Sequence, residues 1–181
     1  MSLPNLITLA RLLSVPIIVW LVLTGALKAA LVVFALAGLS DAVDGFIAKR
    51  FNQRSVLGAM LDPVADKAML VSLFITLGIA HHLPAWVVIL VVFRDIMIIG
   101  GFLFWTALGQ HIRSDPLIIS KINTAAQICL ILATLGRLAF GIEDHNVCLV
   151  LTYIVGATTL LSGAAYLVRW GRSLAGAEIR P

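Results

Sequence analysis

The stretch that decides the fold runs from residue 41 to residue 66: Asp41-Ala-Val-Asp44-Gly-Phe-Ile-Ala-Lys-Arg-Phe-Asn-Gln-Arg-Ser-Val-Leu-Gly-Ala-Met-Leu-Asp62-Pro-Val-Ala-Asp66. Its four aspartates stand between long apolar segments. An Asp at the centre of a membrane-spanning helix costs about 2.5–3.5 kcal/mol on insertion. Four such residues close together predict a functional site in which bound cations neutralise them.

The composition of the chain is that of an integral membrane protein. Of its 181 residues, 61% are hydrophobic and 12% are charged, and the mean hydropathy is +1.06. Segments of about 20 apolar residues, the length that crosses a bilayer as a helix, recur along the chain. We predict one all-α membrane domain over residues 1–181, with six transmembrane helices: Asn5–Thr24, Ala29–Lys49, Asp62–Ala80, Ala85–Leu108, Leu117–Leu138 and Val147–Trp170.

The distribution of basic residues predicts the orientation in the membrane, because cytoplasmic segments are enriched in Lys and Arg. With both termini in the cytoplasm, only Lys28 and Arg137 fall on the outer side. The net charge of +4 then forms a rim facing anionic lipid headgroups, and no nucleic-acid partner is expected. Since the sequence begins directly at the first helix, we expect a bacterial inner membrane. The residues predicted on the cytoplasmic side are Lys49, Arg50, Arg54, Arg113, Lys121, Arg169, Arg172 and Arg180.

The spacing of the aspartates predicts a metal site. Asp41 and Asp44 fall in the last turns of the second helix, and Asp62 and Asp66 in the first two turns of the third. Spacings of three and four put each pair on one helix face, so four carboxylates can meet near the cytoplasmic surface. Oxygen ligands suit Mg²⁺ or Mn²⁺, and the charge balances two divalent ions. The alternatives are structural salt bridges or a proton or cation path.

Polar residues on two other helices recur at every third position. Because a cation embedded in a membrane needs an anion, Arg11 is predicted to contact a bound anion, with helix packing as the alternative. The first series lies on the first helix and the second series lies on the fifth, both toward the predicted cytoplasmic end: Asn5, Thr8 and Arg11, then Lys121, Thr124 and Gln127.

The fourth helix carries two adjacent charges, Arg94 and Asp95. Neighbours on a helix point about 100° apart, so we expect them to be poor partners for each other. Arg94 is predicted to face a substrate cavity, with an interhelical ion pair as the alternative. Gly100 and Gly101 are predicted to allow close helix packing.

The whole pattern, Asp41-x2-Asp44-Gly45-x2-Ala48-Lys49-x8-Gly58-x3-Asp62-x3-Asp66, resembles the signature of the CDP-alcohol phosphotransferase family. One position departs from it, because the family usually has Arg where this chain has Lys49. The charge is retained, but the bidentate contact that Arg makes with phosphate is lost.

The resemblance implies a six-helix membrane enzyme, generally a homodimer, that cleaves a CDP-linked lipid. It implies that two divalent metal ions, Mg²⁺ or Mn²⁺, are held by the four aspartates, and that Asp66 is also the general base for the acceptor hydroxyl. The opening Pro-Asn-x2-Thr-x2-Arg resembles phosphatidylglycerolphosphate and cardiolipin synthases of the family. The implied residues that bind the CDP-lipid are Asn5, Thr8, Arg11, Gly45, Ala48, Lys49 and Gly58.

The acceptor follows from a finer resemblance, to the CDP-diacylglycerol-dependent, mitochondrial-type cardiolipin synthases. Segments such as Ser120-Lys-Ile-Asn-Thr-Ala125 resemble that branch, and the region near Phe102 lacks the second Arg expected of a glycerol 3-phosphate site. We expect transfer of a phosphatidyl group from CDP-diacylglycerol to phosphatidylglycerol, with Arg94, Lys121 and Thr124 near the acceptor. The alternatives are a phosphatidylglycerolphosphate synthase and, outside the family, an intramembrane prenyltransferase or a non-catalytic lipid- or ion-binding protein.

Overall fold

A computed structural model describes residues 3–51, 56–107, 117–143 and 146–177, and the side chains of residues 10–40, 67–101, 117–143 and 146–171. These ranges contain helices and turns and no β-strand, which confirms the all-α prediction. The six helices are α1 Leu3–Leu23, α2 Leu27–Phe51, α3 Val56–Ile79, α4 Ala85–Ala107, α5 Ile118–Phe140 and α6 Asn146–Ala177.

Two predicted helix boundaries are wrong. Helix α3 begins at Val56 rather than at Asp62, so Gly58 lies inside the helix and not before it. Helix α6 continues past Trp170 to Ala177. Hydropathy marks the length of an apolar span, whereas backbone hydrogen bonding continues into polar sequence that still favours a helix.

Two of the helices are long and apolar enough to cross a membrane, counted over the residues that the structure describes. They are Ile118–Phe140, with 23 residues and a hydropathy of 1.6, and Asn146–Gly171, with 26 residues and a hydropathy of 1.9. The full set of six spans and the cytoplasmic location of both termini remain predictions.

The chain divides into two compact units. The first consists of Met1–Pro84 and Ile131–His145, and it holds α1, α2, α3 and the end of α5. Within it α1 packs against both α2 and α3. The buried apolar side chains of this unit include Ile18, Val22, Ala30, Phe34, Leu73, Phe74 and Leu77.

The second unit consists of Ala85–Leu130 and Asn146–Pro181. In it α4 and α6 run parallel, since Trp86 near the start of α4 stacks on Tyr153 at 5.8 Å between ring centroids, and Gly101 near the end of α4 lies against Trp170. Helix α5 runs antiparallel to α6. The Thr159 hydroxyl of α6 donates to Asn123 of α5. Ser120, which precedes Asn123, and Ser162, which follows Thr159, both accept hydrogen bonds from Arg94 of α4.

The close approach of α4 and α6 predicts a mutational effect. A Cβ atom at Gly101 would overlap the Trp170 ring, whereas at Gly100 it would meet nothing within 4 Å. We expect Gly101→Ala to lower the free energy of unfolding by about 1–3 kcal/mol through overpacking. The prediction of close packing is thus confirmed for Gly101 and wrong for Gly100.

Unfolding in detergent by rising denaturant measures this effect, with Gly100→Ala as the matched control. The control is expected to leave stability unchanged or slightly higher, because Ala favours a helix more than Gly. A second variant, Gly101→Ala with Trp170→Leu, should recover part of the loss. Equal stabilities for the two single Ala variants would show that the ring moves aside freely.

The turn between α3 and α4 predicts a dependence of stability on pH. Burial, the Arg137 guanidinium and His81 together lower the pKa of His82 below its usual 6.5. The unfolded chain therefore binds a proton at a higher pH than the folded protein. Stability from this group is fully present above about pH 6.5 and falls as the pH drops toward the lowered pKa.

We expect His82→Gln to flatten this loss of stability between about pH 7 and pH 5. Apparent melting temperatures measured across that range in one detergent check the expectation. Arg137→Gln serves as a second variant, which should make the loss smaller by removing one cause of the pKa shift. Parallel curves for the wild-type protein and His82→Gln would contradict the assignment.

Candidate functional site

All four aspartates of the motif lie on helices of the first unit. Asp41 and Asp44 are in α2, and Asp62 and Asp66 are in α3. Because both segments are helical, spacings of three and four put each pair on one helix face. Asp62 and Asp66 lie one to two turns deeper into α3 than the sequence predicts, since α3 begins at Val56.

The side chains of these aspartates lie outside the described side chains, as do those of six other predicted site residues. Within the described set, no group of three His, Cys, Asp or Glu residues is placed to hold a metal ion. The two-metal site at the four aspartates remains a prediction. The other six residues, all in the first unit, are Asn5, Thr8, Gly45, Ala48, Lys49 and Gly58.

Arg11 is a buried cation in the same unit as the aspartates. It is 4% exposed and lies on the buried face of α1 that includes Ile18 and Val22. Helix α1 packs against α2 and α3, the two helices that carry the aspartate pairs. The burial of Arg11 agrees with the expectation that an anion lies near it, because a buried charge needs a counter-charge.

The second unit has a buried charge cluster centred on Arg94. Its Nη1 donates to Asp95 Oδ1 at 2.6 Å, and its Nη2 donates to Ser120 Oγ at 2.6 Å and to Ser162 Oγ at 2.5 Å. Arg94 and Asp95 are 2% and 1% exposed. The Tyr166 ring lies 6.0 Å from the guanidinium carbon, at the outer limit of a cation–π contact.

The expectation that Arg94 and Asp95 are poor partners is wrong. Adjacent Cβ atoms diverge on a helix, but the guanidinium sits at the end of a long flexible chain and can turn toward a short neighbouring carboxylate. Burial explains why the guanidinium points toward Asp95, because two unpaired charges in an apolar interior would each be costly. The result is a neutral ion pair that joins α4 to α5 and α6.

The predicted series on α5 does not share one environment. Lys121 is exposed, Thr124 is half-buried with its hydroxyl donating to Ser120 O at 3.1 Å, and Gln127 is fully buried. Three-residue steps turn the side chain by about 60° each, so Lys121 and Gln127 point about 120° apart. The inward face of α5 instead carries Ser120, Asn123 and Gln127.

The sequence contained a signal for this inward face that the three-residue spacing concealed. Positions 120, 123 and 127 follow the spacing of three and four that defines a helix face. On α6 the polar positions Thr152, Thr159 and Ser162 follow the same rule and are all buried. Small hydroxyl-bearing residues at such spacing in apolar helices predict interhelical hydrogen bonds.

Comparisons with known proteins agree with the motif. A family model described as CDP-alcohol phosphatidyltransferase matches residues 1–166. The chain is 34% identical over 173 residues to CDP-diacylglycerol–glycerol-3-phosphate 3-phosphatidyltransferase of Escherichia coli, covering 92% of this chain and 93% of that one. It is 33% identical over 181 residues to cardiolipin synthase (CMP-forming) of Homo sapiens, covering 91% of this chain and 60% of that protein.

A third similar protein is the chloroplastic CDP-diacylglycerol–glycerol-3-phosphate 3-phosphatidyltransferase 1 of Oryza sativa, 33% identical over 188 residues, with 94% of this chain and 57% of that protein covered. The chain thus spans less than two thirds of the length of several curated relatives that it matches. Similar identity to proteins named for two different reactions leaves the acceptor to be argued from the site.

Proposed function

This chain belongs to the CDP-alcohol phosphatidyltransferase family, and on that premise we propose that it transfers the phosphatidyl group of CDP-diacylglycerol to phosphatidylglycerol, forming cardiolipin and CMP. The observation that carries the proposal is the pair of aspartate motifs on α2 and α3 of one unit, in a chain that matches the family over residues 1–166.

The donor set fits divalent metal ions. The four motif side chains are carboxylates, which are hard oxygen ligands of the kind that Mg²⁺ and Mn²⁺ prefer. Asp41, Asp44, Asp62 and Asp66 would hold two such ions, which supply neutralisation of the diphosphate charge when bound. Metal dependence is a proposal that loss of activity with a chelator tests.

The protein residues would act as follows. Asp66 accepts the proton of an acceptor hydroxyl, and the freed oxygen forms a bond to the phosphatidyl phosphorus. The bond from that phosphorus to the CMP oxygen breaks, and CMP leaves with the electron pair. Arg11, a buried cation in the unit that holds the aspartates, would offset the phosphate charge.

The Arg94 cluster supports an acceptor without a terminal phosphate. A small dianion such as glycerol 3-phosphate needs cations whose charge is available. Arg94 is the only basic residue in the sequence of α4, and its charge is balanced by Asp95 at 2.6 Å. A neutral cluster suits the glycerol headgroup of phosphatidylglycerol better than a phosphomonoester.

We further propose an integral membrane enzyme in a bacterial inner membrane, with its site at the cytoplasmic face, acting as a homodimer. The two apolar helices support the membrane location. The distribution of Lys and Arg along the sequence supports the cytoplasmic face.

The deciding experiment measures CMP release and product mass from purified protein in lipid with Mg²⁺ and CDP-diacylglycerol. Phosphatidylglycerol and glycerol 3-phosphate are offered separately. We expect cardiolipin from phosphatidylglycerol and no phosphatidylglycerolphosphate from glycerol 3-phosphate. Activity with glycerol 3-phosphate alone would keep the family chemistry and overturn the proposed acceptor.

A further inference from the structure

Two carboxamide side chains, Asn123 and Gln127, are fully buried on one face of α5. Each is 0% exposed, and their spacing of four makes them neighbours on that face. Both belong to the second unit. Fully buried amide groups are nearly always hydrogen-bonded. The groups that these two amides still need as partners therefore indicate what this face of α5 binds.

The orientation of Asn123 is set by α6. The Thr159 hydroxyl donates to Asn123 Oδ1 at 2.9 Å. The Thr158 hydroxyl lies 2.8 Å from the same oxygen and shares its single proton between that oxygen and Ile154 O, also at 2.8 Å. The amide nitrogen Nδ2 is thereby left for another acceptor. It has none in the part of the chain that the structure describes.

Both polar atoms of the Gln127 side chain, Nε2 and Oε1, like Asn123 Nδ2, lack a hydrogen-bond partner within the described ranges. One helical turn of α5 therefore presents two amide NH2 groups and one carbonyl acceptor, all buried. The aliphatic neighbours Leu130 and Ile131, also 0% exposed, offer no polar atom through their side chains.

We propose that Asn123 and Gln127 form a binding site for a hydroxyl group. A hydroxyl accepts a hydrogen bond from an amide N–H and donates one to a carbonyl oxygen, so a single O–H satisfies groups on both side chains. A metal ion does not match the two amide NH2 groups, and an anion does not match the carbonyl oxygen. The hydroxyl belongs either to an internal water molecule or to the glycerol headgroup of the acceptor lipid.

Gln127→Met tests the site, because Met has a similar length and no hydrogen-bonding amide. If the amide has a partner, its loss leaves that partner unpaired and should lower the apparent melting temperature by about 2–10 °C. If the amide has none, replacing it by an apolar side chain should leave the melting temperature unchanged or raise it. Leu130→Met, a change between buried apolar side chains on the same helix, is the matched control.

Measurements in phosphatidylcholine nanodiscs with and without phosphatidylglycerol distinguish the two sources. An equal loss in both lipids, with an unchanged KM for phosphatidylglycerol, identifies an internal water. A loss that appears only with phosphatidylglycerol, together with a KM raised by about tenfold or more, identifies the acceptor hydroxyl. A melting temperature equal to or above that of wild type in both lipids, with unchanged KM, overturns the proposal.

A second measurement covers the case in which Gln127→Met does not fold. In wild-type protein labelled with ¹⁵N on Asn and Gln side chains, the buried amide protons should show magnetisation transfer from water or from glycerol hydroxyl protons. Absence of both transfers overturns the site. Only the acceptor arm rests on the proposed function, and failure of that function would appear separately, as no CMP release by the wild-type enzyme.

Discussion

Asp66→Asn is expected to lower turnover by about 10²–10⁴-fold, the range by which a positioned general base accelerates proton transfer. Asn has nearly the same shape as Asp but cannot accept the proton of the acceptor hydroxyl at neutral pH. Since Asp66 lies on α3 within the aspartate motif, three carboxylates remain to hold metal. CDP-diacylglycerol binding should therefore stay measurable while CMP release falls by that factor.

The measurement is single-turnover CMP release beside equilibrium binding of CDP-diacylglycerol, both with Mg²⁺. Glu143→Gln is the matched control, because it makes the same acid-to-amide change at an exposed residue between α5 and α6. The control should keep its activity. Turnover by Asp66→Asn within tenfold of wild type would remove Asp66 as the base.

Asp95→Ala is expected to lower the free energy of unfolding by about 3–5 kcal/mol, because it leaves the buried Arg94 charge without its counter-charge. Asp95 Oδ1 accepts the 2.6 Å bond from Arg94 Nη1, and both residues are almost completely buried. Removing both charges, by Arg94→Met with Asp95→Leu, should cost less than removing Asp95 alone. Unfolding in mixed micelles with a rising fraction of SDS measures the two variants and the wild-type protein.

The double variant also separates two roles of Arg94. If Arg94 only joins α4 to α5 and α6, recovery of stability should bring back catalytic activity. If Arg94 also contacts the acceptor, stability should recover while the KM for the acceptor stays raised. A single Asp95→Ala variant as stable as wild type would show that the pair is solvated in the folded protein.

Several features follow from the sequence because they depend on local chemistry. Long apolar segments predict helices wherever the backbone must satisfy its own hydrogen bonds, and all six occur. The spacing of the aspartates places each pair on one helix face once those segments are helical. The start of α3 escaped prediction, because Gly58 reads as a turn residue although the helix tolerates it.

The polar cluster of the second unit was harder to predict. Arg94 could be recognised as an expensive buried cation, but its partners come from positions 95, 120 and 162. Residues distant in the chain become partners only through packing, and no rule of spacing on a single helix joins them. The rule that neighbours on a helix point about 100° apart also gave a wrong expectation for Asp95. It describes Cβ directions and not the reach of a long side chain.

The sequence by itself therefore determined the helices, the aspartate motif on α2 and α3 and, through that motif, the family. These depend on hydrophobic periodicity and on residues close in the chain. Only the tertiary structure decided that α4 packs against α6, that Arg94 is neutralised by Asp95, and that Asn123 Nδ2 and both polar atoms of the Gln127 amide are buried without hydrogen-bond partners in the described residues. The physical reason is that the direction and burial of a side chain depend on which helices surround it.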